Sequence, residues 1–436
     1  INAALPASRH AARLCLPRPV LAQAMSDTAD RLVRAARAAG LAPLTIRGRE
    51  ALPIVQGGMG VGISAHRLAG SVASLGAVGT LSSVDLRRHH ADLMEATGDL
   101  PSDVAKPAID AANLEALDRE IRAARDLSGG RGLLAVNVMR AVSEYAPYVR
   151  RACESGIDAV VVGAGLPLDL PELTAEFPRV ALVPILSDAR GIELLVRKWS
   201  RKGRLPDAIV VEHPRLAGGH LGAARIEDLA DPRYDFEQVL PAARAFLRQA
   251  GAEHVPLIAA GGIDGPARVR ELVSLGASGV QLGTAFAVTQ ECDAADTFKR
   301  VLAGAGPEDI VEFVSVAGLP ARAVRTPWLA AYLKVQERLK AKAREKSRCT
   351  MAFDCLAQCG LRDGIAKFGQ FCIDQQLAAA LRGDLKKGRF FRGAGRLPFG
   401  KEIRPVRDLV ELLLGESATT GLVRDDAALA IEAFAA

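Results

Sequence analysis

The stretch VPLIAAGGIDGPARVRELVSLGASGVQLGT, Val255 to Thr284, holds two short apolar runs separated by a helix-length segment. Each run ends in glycine, the first in AAGG at 259–262 and the second in QLGT at 281–284. Both runs are apolar at successive positions, the pattern of parallel strands buried on two faces. The same unit recurs through the preceding two hundred or so residues. Further candidate strands are PIVQG (53–57), AVGTLS (77–82), LLAVNVM (133–139), DAVVVGA (158–164), VALVPILS (180–187) and DAIVVE (207–212). Helix-like segments such as AHRLAGSVASLG and PAARAFLRQAG lie between them, with Gly near their ends. Eight βα units in roughly 250 residues predict an α/β fold, a (β/α)8 TIM barrel. A doubly wound open sheet predicts instead a GxGxxG fingerprint after the first strand. That strand is followed by GGMGVG, which does not fit.

Composition agrees. Of 436 residues, 49% are hydrophobic and 4% aromatic, the balance of an α/β protein with a large core. No apolar run approaches membrane-spanning length. No zinc finger, RNA-binding aromatic signature or recognition helix points to nucleic acid. The expectation is a cytoplasmic protein with a small-molecule substrate and neither a membrane nor a nucleic-acid partner. Residues 1–24 carry Arg9, Arg13 and Arg18 without an acidic residue, and read as a non-native or targeting extension before Met25. The barrel is assigned to 25–305. Beyond it, 306–436 read as a mostly helical, basic, Cys-containing extension. Between Lys334 and Arg404 there are 17 Lys and Arg against 7 Asp and Glu, although net charge over the whole chain is only +6. Such an excess forms a solvated basic surface or attracts a phosphorylated partner. The long link from Ser83 to Arg131 predicts a helix or lid over the site.

In a barrel the functional groups sit at the C-terminal ends of the strands. Gly261 and Gly262 after the seventh strand, and Gln281, Leu282, Gly283 and Thr284 at the eighth, form a candidate phosphate site, because glycine lets backbone N–H groups approach an anion. Asn137 closes the third strand with an amide that must find partners, either backbone or the pyrimidine edge of a flavin. Gly57, Gly58 and Met59 after the first strand offer close approach to a flat ring. The sixth strand runs into VVEHPRLAGGHLG (210–222), where Gly218 and Gly219 permit unusual backbone geometry before His220. An imidazole there can accept a proton or stabilise a developing anion. Glu212 ends the same strand. His89 and His90 are adjacent, cannot easily converge on one metal, and read as surface residues.

As a set, LPIVQGGMG, LAVNVM, VVEHPRLAGGHLG, LIAAGGI and GVQLGTAF resemble the nitronate monooxygenase (2-nitropropane dioxygenase) family, in order over about residues 50 to 305. The resemblance implies a TIM barrel with non-covalent FMN and oxidation of alkyl nitronates with O2. It implies that Asn137, Glu212 and Gly218 border the flavin ring, that Gly262 and Gln281–Thr284 hold its phosphate, and that His220 is the catalytic histidine. Many relatives carry glutamine at the end of the sixth strand and a tighter EAGGH, whereas Glu212 here is followed by HPRLAGGH. Similar flavin barrels use NAD(P)H to reduce enoyl thioesters or quinones and share the histidine, so that reading stands beside the first. A non-redox barrel for a phosphorylated ligand is a third reading, and a scaffold whose tail docks a partner is a fourth.

Four of the seven cysteines fall in the extension: Cys349, Cys355, Cys359 and Cys372. Their spacing is loosely similar to that of cluster-bearing flavin barrels of the dienoyl-CoA reductase type and predicts an iron–sulfur or metal site, or else buried free thiols. Cys15, Cys153 and Cys292 read as core or surface. The run KKGRFFRGAGRLPFGKEIRPVRDL reads as an ordered basic segment that covers the barrel mouth or binds a carrier phosphate.

Overall fold

The structure is a computed structural model that describes residues 18–343 and 349–416. Eight parallel strands close into a barrel: β1 (Ile54–Gln56), β2 (Val78–Ser82), β3 (Leu133–Met139), β4 (Ala159–Gly163), β5 (Ala181–Leu186), β6 (Ile209–Glu212), β7 (Leu257–Ala260) and β8 (Gly279–Leu282). Each lies inside a run picked out from the sequence. β8 closes on β1 through Gln281 opposite Val55, and β6 runs beside β7 with Glu212 opposite Ala260.

The alternation of side chains explains why these strands are apolar throughout. Val55, Val78, Ala135, Val161, Val183, Val210 and Ile258 point inward and form one core. Their neighbours Ile54, Val136, Val160, Leu182, Val211 and Leu257 face the surrounding helices and form the other. One strand thus feeds two cores, with period two. A hairpin, Leu44–Ile46 paired with Arg49–Ala51, inserts Leu44, Ile46 and Ala51 into the inner core and plugs the N-terminal end of the barrel. The opposite end stays available for chemistry.

The first helix, Arg18–Ala38, runs through Met25 without a break and buries Leu32 and Ala36. Residues 1–17, with Cys15, lie outside the described residues. The insertion after β2 forms a 27-residue helix, Ser102–Ser128, as expected, but it packs along the barrel flank against His66–Ser74 rather than over the mouth. His89 and His90, read as surface, anchor this region. His89 Nε2 lies 2.8 Å from the Gly62 carbonyl, and His90 and His66 flank the buried carboxylate of Glu120.

The mouth is covered by the C-terminal extension. It is less helical than expected, because Ile310–Val314 and Pro320–Val324 form an antiparallel hairpin and 349–372 and 382–405 are irregular. Nor does residue 305 divide two cores: Leu356, Phe371, Phe390 and Val406 belong to the same apolar cluster as the barrel's outer layer. The tail crosses from the β3 side, where Ala357 N donates to Ala141 O, to the β7–β8 side. There Ala394 N donates to Leu216 O and Gly393 N to Thr284 Oγ1 at 3.0 Å. Among the described residues no helix is long and apolar enough to cross a membrane.

Candidate active site

One cavity of about 300 Å³ opens at the C-terminal end of the strands beneath the tail. Gly57, Gly58, Met59, Asn137, Glu212, Gly218, Gly219, His220, Gly261, Gly262, Gln281, Leu282, Gly283 and Thr284 all line it. The strands converge these positions because parallel register puts every strand end on the same rim.

Local packing explains the glycines. A Cβ on Gly58 would lie 2.3 Å from the Asn137 Cβ, so glycine is what lets the β1 loop lie against β3. Gly261 and Gly262 have φ of +110° and +68°, open only to glycine at low cost, and the Leu216 side chain fills the space beside them. Gly218 differs from its expected role. A Cβ there would lie 2.5 Å from the backbone of Arg392 and Gly393, so its smallness also admits the tail.

His220 sits not on a free loop but on a two-residue strand, Gly219–His220, paired with the extension hairpin: His220 lies opposite Ala321, and Gly219 opposite Arg322. Arg322 fixes the loop leading to it. Its buried guanidinium donates to the carbonyls of Pro214 (3.1 Å) and Ala217 (2.5 Å) and pairs with Glu312. His220 Nε2 is 3.0 Å from Ser315 Oγ, and its ring lies 5.9 Å from that of Phe391. Burial, aided by the charge of Arg389, lowers the His220 pKa to about 4, so the imidazole is neutral at pH 7. Burial raises the Glu212 carboxyl to about 7. This pair can therefore offer a neutral base and a protonatable acid at one pH.

The amides of Asn137 and Gln281 and the carboxyl of Glu212 make no side-chain hydrogen bond among the described residues, although all three border the cavity. Polar groups are not normally left so, and the set suits a ligand with several donors and acceptors on one edge. Thr284 Oγ1 accepts from Gly393, and its hydroxyl proton remains available to donate. The tail adds residues that strand-end reasoning missed: Arg389, Phe391 and Arg396 on the cavity wall, and Ser315 against His220. The signal for three of them was the RFFRGAGR run, whose place over the mouth was one of two expectations but whose sequence did not say which side chains reach the cavity. Arg389 and Arg392 are buried, so the basic tail is not simply a solvated surface.

The cysteines behave differently. Cys349, Cys355, Cys359 and Cys372 are free thiols, near enough that Cys355 feels the other three; burial is the main cause holding Cys355, Cys359 and Cys372 protonated, with Cys372 raised to about 11. Only Cys355 borders the cavity. Among the described residues no three His, Cys, Asp or Glu side chains converge to hold a metal ion. The Cys359 sulfur instead accepts from the Arg362 N–H at 3.5 Å, and Cys355 packs with Phe353 and Ile109. The expected metal set is thus not assembled as a ligand shell. Cys153 and Cys292 are buried in the core.

The fold and rim define a TIM-barrel enzyme whose site pairs a glycine-lined turn region with a half-buried histidine. The chain belongs to the nitronate monooxygenase family, whose profile matches residues 48–416, and is accordingly a flavin-dependent oxidoreductase. A protein of Staphylococcus saprophyticus described as a probable nitronate monooxygenase is 26% identical over 292 residues, 64% of this chain and 76% of its own length. In fold, the chain is similar to FabK from Thermotoga maritima (TM-score 0.56, 22% identity, 84% of this chain and 92% of that one). It is also similar to nitroalkane oxidase from Streptomyces ansochromogenes (TM-score 0.55, 20% identity, 88% and 97%).

Proposed function

We propose that the chain binds FMN in this cavity and oxidises alkyl nitronates with O2. The observation that carries the reading is the joining, in one cavity, of the β7–β8 turns, three unpartnered polar side chains at the ends of β3, β6 and β8, and a half-buried histidine. The residues fit the cofactor. Asn137, Gln281 and Glu212 would meet the ring edge, and the backbone of Gly261, Gly262 and Gly283, with Thr284 and Arg396, would meet the phosphate. When bound, FMN supplies an electron acceptor that O2 can reoxidise.

The protein's own residues do the rest. His220, neutral and desolvated, takes the α-proton of a nitroalkane or holds the nitronate it becomes. Ser315 fixes the ring through Nε2. The tail, pinned at Thr284 and Leu216, limits water at the reacting carbon.

Glu212 favours a second reading. A carboxyl that titrates near 7 beside the ring can give a proton to a reduced acceptor, as an NAD(P)H-dependent reductase of an enoyl thioester or quinone requires. Reconstitution with FMN, followed by anaerobic mixing with propyl-1-nitronate and separately with NADH or NADPH, tests both. Bleaching of the flavin band by the nitronate supports the first reading. Bleaching by the nicotinamide alone supports the second, and no flavin uptake overturns both.

A further inference from the structure

Arg389 lies in the tail within RFFRG, and its side chain is fully buried at the cavity wall. None of its three guanidinium nitrogens has a hydrogen-bond partner among the described residues. Aromatic rings surround the cation: its central carbon is 3.5 Å from the centroid of Phe371, 4.7 Å from that of Phe313 and 4.8 Å from that of Trp328. Ring faces attract a cation, but they do not satisfy five directed N–H donors or replace a counter-charge. Burying an arginine in this way is costly unless an anion completes it.

Resident carboxylates do not supply that anion. Asp374 borders the cavity but is held by Arg88 at 2.6 Å, and Glu312 is held by Arg322. Glu212, also on the wall, does not pair with it. The backbone is pinned on both sides, Arg389 N to Gln376 O at 3.0 Å and Phe390 O to Val324 N at 2.8 Å. Val324 ends the hairpin strand that also pairs with His220, so one sheet positions the histidine and the arginine together. The charge of Arg389 reaches the His220 ring.

We propose that Arg389 is the substrate-specificity residue of this pocket, an anion receptor beside His220 that selects ligands carrying a negative oxygen pair, a nitronate or a carboxylate, over neutral ones. This rests on the reading that the His220 end is the substrate end. Two parallel oxygens that carry negative charge match the guanidinium fork; a quinone lacks the oxygen pair and a neutral nitroalkane the charge. The aromatic walls keep the unliganded cation from collapsing onto another group.

The test uses the whole chain with and without FMN, and three probes: propyl-1-nitronate, propionate and its neutral isostere propionamide. In wild type, propionate should raise the thermal midpoint of the flavin-free protein and perturb the flavin spectrum of the loaded one, while propionamide does neither. Arg389→Met should weaken propionate and nitronate binding by tenfold or more and leave FMN affinity within twofold. Arg389→Lys, which keeps charge without the fork, should fall between. Equal binding of propionate and propionamide by wild type overturns the proposal without any variant, as does unchanged anion binding in a folded Arg389→Met protein. If the protein takes up no flavin yet propionate stabilises only wild type, the flavin reading fails and the Arg389 assignment stands. If flavin binds and the anions do not discriminate, the reverse holds.

Discussion

Replacing Glu212 by glutamine changes one proton-binding group at the end of β6 and nothing in the strand's pairing. In the folded protein the carboxyl is raised from 4.5 to about 7 by burial. Between those two values the folded chain holds the proton more often than the unfolded chain, so stability falls as pH rises through the window. Below 4.5 both states are protonated and the residue costs nothing; above about 7 both are ionised and the whole penalty is present. A shift of about 2.5 units corresponds to about 3.4 kcal/mol at high pH, of which about 0.8 kcal/mol has appeared at pH 5. The increment between pH 5 and pH 8 is therefore at most about 2.5 kcal/mol, and less to the extent that solvent reaches the carboxyl from the cavity. Glutamine does not ionise, so Glu212→Gln should gain at most about 0.8 kcal/mol on wild type at pH 5 and a further increment of up to about 2.5 kcal/mol at pH 8. Flavin-free protein unfolded in urea at both pH values, with midpoint and slope compared, measures this directly. A variant that gains equally at both pH values, or not at all, would refute the argument that desolvation holds Glu212 protonated. The same substitution should remove an inflection near pH 7 from the pH–rate profile.

Three further outcomes follow from the packing. Gly58→Ala puts a methyl 2.3 Å from the Asn137 Cβ and should cost about 1–3 kcal/mol while lowering flavin affinity, read by urea unfolding and FMN titration. Arg322→Met strips the carbonyls of Pro214 and Ala217 of their donor and should destabilise by about 2–4 kcal/mol, with a larger loss of turnover than of FMN binding because the His220 loop is released. Ser315→Ala frees the His220 ring and should lower kcat by roughly tenfold, the worth of about 1.4 kcal/mol in one hydrogen bond, with FMN affinity unchanged in a spectral titration. A Ser315→Ala protein with wild-type kcat would show that the ring is held by packing alone.

Local sequence was enough where the physics is local. Strands that must be apolar on both faces, and turns that must pass through φ of +110° and +68°, leave Val/Ile runs and Gly pairs in the chain whatever lies around them. Eight such runs in order leave little choice of architecture, and closing the barrel brings Gly58, Asn137, Glu212, His220, Gly262 and Thr284 to one rim. Only the tertiary structure decided what the tail does. The pairing of the extension hairpin with His220 and the contact of Gly393 with Thr284 join residues about 100 positions apart, the ring box draws Phe313 and Trp328 to Arg389 from 76 and 61 positions away, and packing of that kind leaves no periodic trace. The cysteines show the same limit. Spacing limits which thiols can meet, but how far Cys349, Cys355, Cys359 and Cys372 are buried beside one another is set by the assembled fold. The state of the two titratable groups was equally hidden. His220 and Glu212 titrate near 4 and near 7 because the tail seals the barrel mouth, and desolvation belongs to the assembled fold and not to either residue.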